Sequence, residues 1–242
     1  MKVLAREPLS DAAKEILAEM DYSVVETREP EIMFEWRDDS LWLLDGRTRQ
    51  SPVRVDFISD WQKLKIGKDD LLAKAVGLRR GLKHVVDATA GWGQDSLRLL
   101  KLGCHVTAIE RSPVLLALLQ DGLRRAGQDP RWVAGGGARL RLMAGDASEI
   151  LPKLPKESRE VIFIDPMFPE RKKGALAKGE MQLLHSLLGA GEDSLSLWNK
   201  AWDYSERRLV YKSPRLTPGF PRPPDLEFEG RAIRYDVWLR TP

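Results

Sequence analysis

Hydrophobic positions fall into short runs, and their spacing alternates along the chain between that of strands and that of helices. His84-Val85-Val86-Asp87 reads as a buried strand. Ala88-Thr89-Ala90-Gly91-Trp92-Gly93 follows as a glycine turn, and a helix is predicted over about 95–102. Residues 104–110 form the next strand. A strongly apolar helix covers 115–123, with Ser112 and Pro113 in cap and first-turn positions. A third strand runs over 140–146. The fourth, 160–165, has an apolar centre that implies burial on both faces.

Further on, helices are predicted over 180–188 and 194–203, a fifth strand over 208–212 and a closing strand over 232–240. A proline-rich loop, 214–224, separates those two strands. With no helix between them, they predict an antiparallel edge. The whole pattern predicts an α/β fold with a Rossmann-like, doubly wound, mostly parallel sheet.

Residues 1–70 read differently, as a small N-terminal α/β module before a main domain over 71–242. Ser10 can cap a helix over 11–19, and a strand follows over 22–26. Residues 32–36 and 40–45 flank the polar Arg37-Asp38-Asp39 turn as a hairpin, and 52–57 is a further candidate strand. The module either packs passively against the main domain or helps select a large substrate. A helix over 71–77 follows the basic stretch of Lys63, Lys65 and Lys68. That stretch is a solvated face, or a phosphate contact if it overlies the cleft.

Composition narrows the class. The 242 residues are 43% hydrophobic and 31% charged, as in a globular protein with a sizeable core. The net charge of +3 permits a nucleic-acid partner without demanding one. Cys104 is the single cysteine, so no internal disulfide forms, and its place in a strand predicts a core thiol. The chain shows neither a membrane-length apolar run nor a signal-peptide core, which predicts a cytoplasmic protein. His84, His105 and His185 lack ligand spacing, so no metal is expected.

The candidate chemistry lies where strands end. Asp87, Glu110, Asp146 and Asp165 close four successive predicted strands, the edge along which open α/β sheets bind ligands. Gly91 and Gly93 let the backbone turn sharply beside a ligand. A nicotinamide site would have a third glycine, absent here, and Asp95 would oppose a pyrophosphate at the helix N-terminus. An acidic residue there suits a cofactor carrying an ammonium and a sulfonium, such as S-adenosylmethionine, with Glu110 toward its ribose. Asp165-Pro166-Met167-Phe168-Pro169 adds an acceptor for an amine proton and, in Phe168, a face for a base to stack on. A dehydrogenase, a non-catalytic RNA-binding factor, and a methyltransferase acting on another RNA, a protein or a small amine are the competing classes.

The segments Asp87–Asp95, Gly103–Val114 and Asp165–Pro169 resemble the ribosomal RNA small subunit methyltransferase J family. The resemblance spans roughly 53–190. It implies an S-adenosylmethionine-dependent enzyme that methylates the N2 amine of a guanine in 16S rRNA, with the small ribosomal subunit as partner. By position it implies cofactor contacts from Gln94, Asp95, Glu110, Arg111, Asp146, Ala147 and Asp165. Gln94 stands where the family pattern has arginine, and Asp146-Ala147 where it has two small hydroxyl residues. Arg171, Lys172, Lys173 and Lys178, with Lys212 further on, are the candidate RNA-phosphate contacts.

Overall fold

The computed structural model describes residues 1–5, 7–49, 51–166, 194–215, 220 and 222–240. Among these residues the main sheet has seven strands. They are β5 (His84–Asp87), β6 (His105–Glu110), β7 (Leu140–Ala144), β8 (Val161–Ile164), β9 (Arg208–Pro214), β10 (Leu226–Glu229) and β11 (Ile233–Leu239). Their order is β10-β11-β9-β8-β5-β6-β7. The pairs β5–β6, β6–β7, β5–β8 and β8–β9 are parallel, whereas β11 is antiparallel to both β9 and β10. The predicted antiparallel strand is therefore present but lies one place inside the edge. β10, in a stretch between the proline-rich loop and the closing strand for which no element was expected, takes the edge itself. The order reverses between β5 and β8, and a crevice at such a switch point is the ligand position of open α/β sheets.

The helices follow their local signals. α3 (Leu71–Val76) is capped by Asp70 and closed by Gly77 at φ +83°. α4 (Gln94–Lys101) starts directly after the glycine turn. α5 (Pro113–Gly127) begins with Ser112 as cap and proline in its first turn, and extends the predicted helix at both ends. The predicted helix near 194–203 is observed as Ser194–Tyr204, and that over 180–188 lies outside the described residues.

A second sheet of four strands has the order β2-β1-β3-β4. β1 (Lys2–Leu4) is parallel to β2 (Ser23–Val25) and β3 (Ile32–Arg37), and β3 pairs with β4 (Ser40–Asp45) as the expected hairpin. The candidate strand over 52–57 is corrected. Only Val53 bridges to Leu43, and Asp56 instead caps a helix, α2 (Phe57–Lys63), by accepting from the Ser59 amide. One cluster of buried side chains runs from Val3 and Phe34 through Phe57, Leu97 and Leu118 to Val237, so both sheets share it.

Cys104 is buried, and burial pushes its thiol up to about 12, the state of a core cysteine. His84 and His105 are less scattered than the sequence implied: the β5–β6 register stacks their rings 4.8 Å apart. Among the described residues no helix is long and apolar enough to cross a membrane.

Candidate active site

The site grows from the end of β5. Asp87 is 1% exposed, and its carboxylate accepts from the Thr89 amide at 3.2 Å and from the Ser96 hydroxyl of α4. Burial raises this carboxyl to about 7, the Ser96 and Thr89 bonds pull against it, and Asp95 and Asp165 push the same way as burial. Asp87 thus clamps the turn between the strand and the helix.

The turn itself needs its glycines. Gly91 has φ +55° and Gly93 φ +77°. A Cβ on Gly93 would lie 2.9 Å from Leu119 and 3.0 Å from the Phe57 ring, so the backbone there is packed against α2 and α5. A Cβ on Gly91 would meet nothing nearer than the Thr89 carbonyl at 3.9 Å, so the backbone at Gly91 has open space beside it. Trp92, between the two, buries its indole N–H with no hydrogen-bond partner among the described residues.

Glu110 ends β6 and folds back to this turn. Its carboxylate accepts from the Gly91 amide at 2.8 Å and from the Ser112 amide at 2.8 Å. Burial raises its pKa, while the backbone donors around it pull the other way. Arg111 beside it is exposed.

Asp146 stands past its strand. β7 ends at Ala144, Gly145 turns at φ +131°, and Asp146 caps the short helix Ala147–Ile150 by accepting from the Ser148 amide at 2.7 Å. Ala147 is 5% exposed.

Asp165 follows β8 directly. Its amide donates to Thr89 Oγ1 at 2.7 Å, which ties the β8 loop to the glycine-turn loop across the switch point. Lys212 of β9 places its ammonium 2.7 Å from Asp165 Oδ2 and 2.6 Å from Asp95 Oδ2 of α4. Burial raises Asp165 to about 7, with Lys212 pulling down and Asp95 pushing up. Burial alone would depress Lys212; the two carboxylates outweigh it and hold the amine protonated.

The predicted residues Asp87, Gly91, Gly93, Asp95, Glu110 and Asp165 therefore gather at one end of the sheet. Gln94 is exposed at the start of α4. Lys212 joins this group instead of an open basic surface, because its strand register points it between two carboxylates. Phe168, Arg171, Lys172, Lys173 and Lys178 lie outside the described residues. Thr89, Ser96 and Phe57 were missed, and Ser112, expected only as a helix cap, also holds Glu110 through its amide. The signal for Thr89 was a small hydroxyl residue two places past the strand-end acid Asp87; Ser96, nine residues on, and Phe57 carried none, since their contacts with Asp87 and Gly93 are tertiary.

A family model described as "Putative SAM-dependent methyltransferase" matches residues 17–240. A ribosomal RNA small subunit methyltransferase J from Pseudomonas aeruginosa is 38% identical over 236 residues, 95% of this chain and 90% of the relative. The protein of that name from Aeromonas salmonicida is 39% identical over 250 residues, 99% and 97% of the two chains. The crystal structure of a SAM-dependent methyltransferase from Neisseria gonorrhoeae superposes with a TM-score of 0.78 at 30% identity, covering 99% of this chain and 96% of that one. With its doubly wound sheet and its acids gathered at the switch point, this chain belongs to the family of SAM-dependent methyltransferases that includes ribosomal RNA small subunit methyltransferase J.

Proposed function

We propose that this chain transfers a methyl group from S-adenosylmethionine to the exocyclic N2 amine of a guanine in 16S rRNA, working in the cytoplasm on the small ribosomal subunit or its rRNA. The single observation that carries this reading is Asp165, held by Thr89 and Lys212 beside the glycine turn.

The donor set suits the cofactor. Open space beside Gly91 leaves room for a ligand against the backbone. Asp95 offers a carboxylate to an ammonium. Glu110 retains lone pairs for ribose hydroxyls beyond its backbone bonds. Asp146 and Ala147 are assigned to the adenine, with Gln94 and Arg111 as further cofactor contacts. S-adenosylmethionine supplies a methyl on a sulfonium, which is already a good leaving group.

The residues of this chain then have two tasks. They aim the amine nitrogen, and they accept a proton from it. An exocyclic guanine amine is a weak nucleophile because its lone pair is delocalised into the ring. The ionised Asp165 carboxylate accepts its N–H, and Phe168 offers a stacking face for the base. Orientation supplies most of the rate. Arg171, Lys172, Lys173 and Lys178 are assigned to RNA phosphates.

The test is methyl transfer from labelled S-adenosylmethionine to small subunits, naked 16S rRNA and bulk protein, followed by nucleoside analysis. Label in N2-methylguanosine is the expected result. Label confined to protein, or to another nucleoside, refutes the substrate or the position.

A further inference from the structure

Positive charge on this chain is concentrated. Residues 63–83 hold seven lysines and arginines against two aspartates, a net +5 in a chain whose total is +3. Both aspartates are already engaged: Asp69 pairs with Lys74 at 3.0 Å and Asp70 with Arg98 at 2.5 Å. Lys63, Lys65, Lys68, Arg79, Arg80 and Lys83 are all exposed. None of the six has an ion-pair partner within 4.0 Å among the described residues.

Part of this stretch borders a cavity of about 300 Å³, lined by Lys74, Arg79, Arg80 and Arg208 together with Leu226 and Phe228. Arg208 is only 4% exposed, yet it has no carboxylate partner among the described residues. Its guanidinium donates to the carbonyls of Ala75 at 2.8 Å and Lys74 at 3.3 Å, capping the end of α3. Burial and the neighbouring Arg80 both disfavour its charge. An anion in the cavity would relieve that cost. The apolar wall gives a sugar or base a surface beside the cations, and arginine with an aromatic face is the usual equipment for a nucleic-acid strand.

The cavity and the methyl-transfer site share a strand. Arg208 opens β9, and Lys212 lies four residues along it, about 13 Å away at strand rise. One RNA molecule can reach both.

We propose that the cationic stretch over 63–83, with the cavity lined by Lys74, Arg79, Arg80 and Arg208, is an RNA-phosphate contact surface separate from the methyl-transfer site. The proposal rests on the rRNA reading above. It assigns to this face the sequence-independent part of the affinity, leaving the choice of guanine to the site at Asp165.

The test uses the full chain and purified small-subunit rRNA, titrated over a range of salt concentrations. Two variants are compared with wild type: Arg79→Ala with Arg80→Ala, and Lys63→Ala with Lys65→Ala and Lys68→Ala. Each phosphate contact contributes about 0.7–0.9 to the slope of log affinity against log salt. The double variant should therefore lose about 1.5 in slope and raise the KM for rRNA, with S-adenosylmethionine affinity equal to wild type as the control for folding. Wild-type slopes and KM in both variants overturn the proposal while leaving the rRNA reading intact. Weakened binding to whole subunits with unchanged binding to naked rRNA assigns the face to a ribosomal protein and also overturns it. Wild-type protein that binds S-adenosylmethionine but neither binds nor methylates the rRNA overturns the substrate reading, and this proposal with it.

Discussion

Lys212 holds Asp165 by an ion pair of 2.7 Å, and the same ammonium reaches Asp95 at 2.6 Å. One cation on β9 thus links the acid proposed to face the substrate to the acid proposed to face the cofactor. Removing it leaves two carboxylates close together with no counter-charge. Lys212→Met should cost about 2–3 kcal/mol of stability, and should lower kcat as well as S-adenosylmethionine affinity. Lys212→Arg should recover part of both. Denaturant melts and steady-state kinetics check this; a Met variant with wild-type kcat and cofactor affinity refutes it.

Asp165 can accept a proton only when ionised, and burial holds its carboxyl near 7. Methyl transfer should therefore rise with pH through about 7 and level off above it. Asp165→Asn should be slower and should lose that rise. The check is kcat/KM against pH for both proteins, with a pH-independent wild type as the contrary outcome.

Asp87 bears on stability instead. Its carboxyl sits near 7 in the folded chain, against about 4 when unfolded. Between those values the folded state binds more protons than the unfolded state. The contribution of Asp87 to stability therefore falls as pH rises from about 4 to about 7 and is constant above. Thermal melts across that range should show a shallower pH dependence for Asp87→Asn than for wild type.

Gly93→Ala combines two penalties. The residue sits at φ +77°, and the new methyl would press on Leu119 and Phe57. A left-handed alanine costs about 1–2 kcal/mol and overpacking about 1–3 more. Gly91→Ala, at φ +55° in open space, should cost about 1 kcal/mol in stability and act chiefly on cofactor affinity. Urea midpoints and a cofactor titration separate the two effects.

Glu110→Ala strips the acceptor from the Gly91 and Ser112 amides and removes the proposed ribose contact. Cofactor affinity should fall more than tenfold, equivalent to about 1.4 kcal/mol. Calorimetric titration with S-adenosylhomocysteine tests it, and an unchanged Kd assigns Glu110 to structure alone.

Six of the seven strands of the main sheet, the glycine turn and the four acids at or just past strand ends were legible in the chain because each is written locally. Apolar runs, glycines and the Ser112 cap act over a few residues, so periodicity and turn chemistry reveal them. Elements with short or mixed patterns were not legible. β1 has three residues, α2 begins inside an apparent strand, and β10 follows a proline-rich loop. Which residues meet across the fold was decided only by tertiary structure. Strand order brings β9 beside β8, and that neighbour relation turns Lys212 from an apparent surface cation into the partner of Asp165. Register likewise stacks His84 on His105, and helix packing sets Phe57 against Gly93. These contacts join residues tens of positions apart. Their energies come from burial and charge pairing in the assembled core, which no local stretch of sequence encodes.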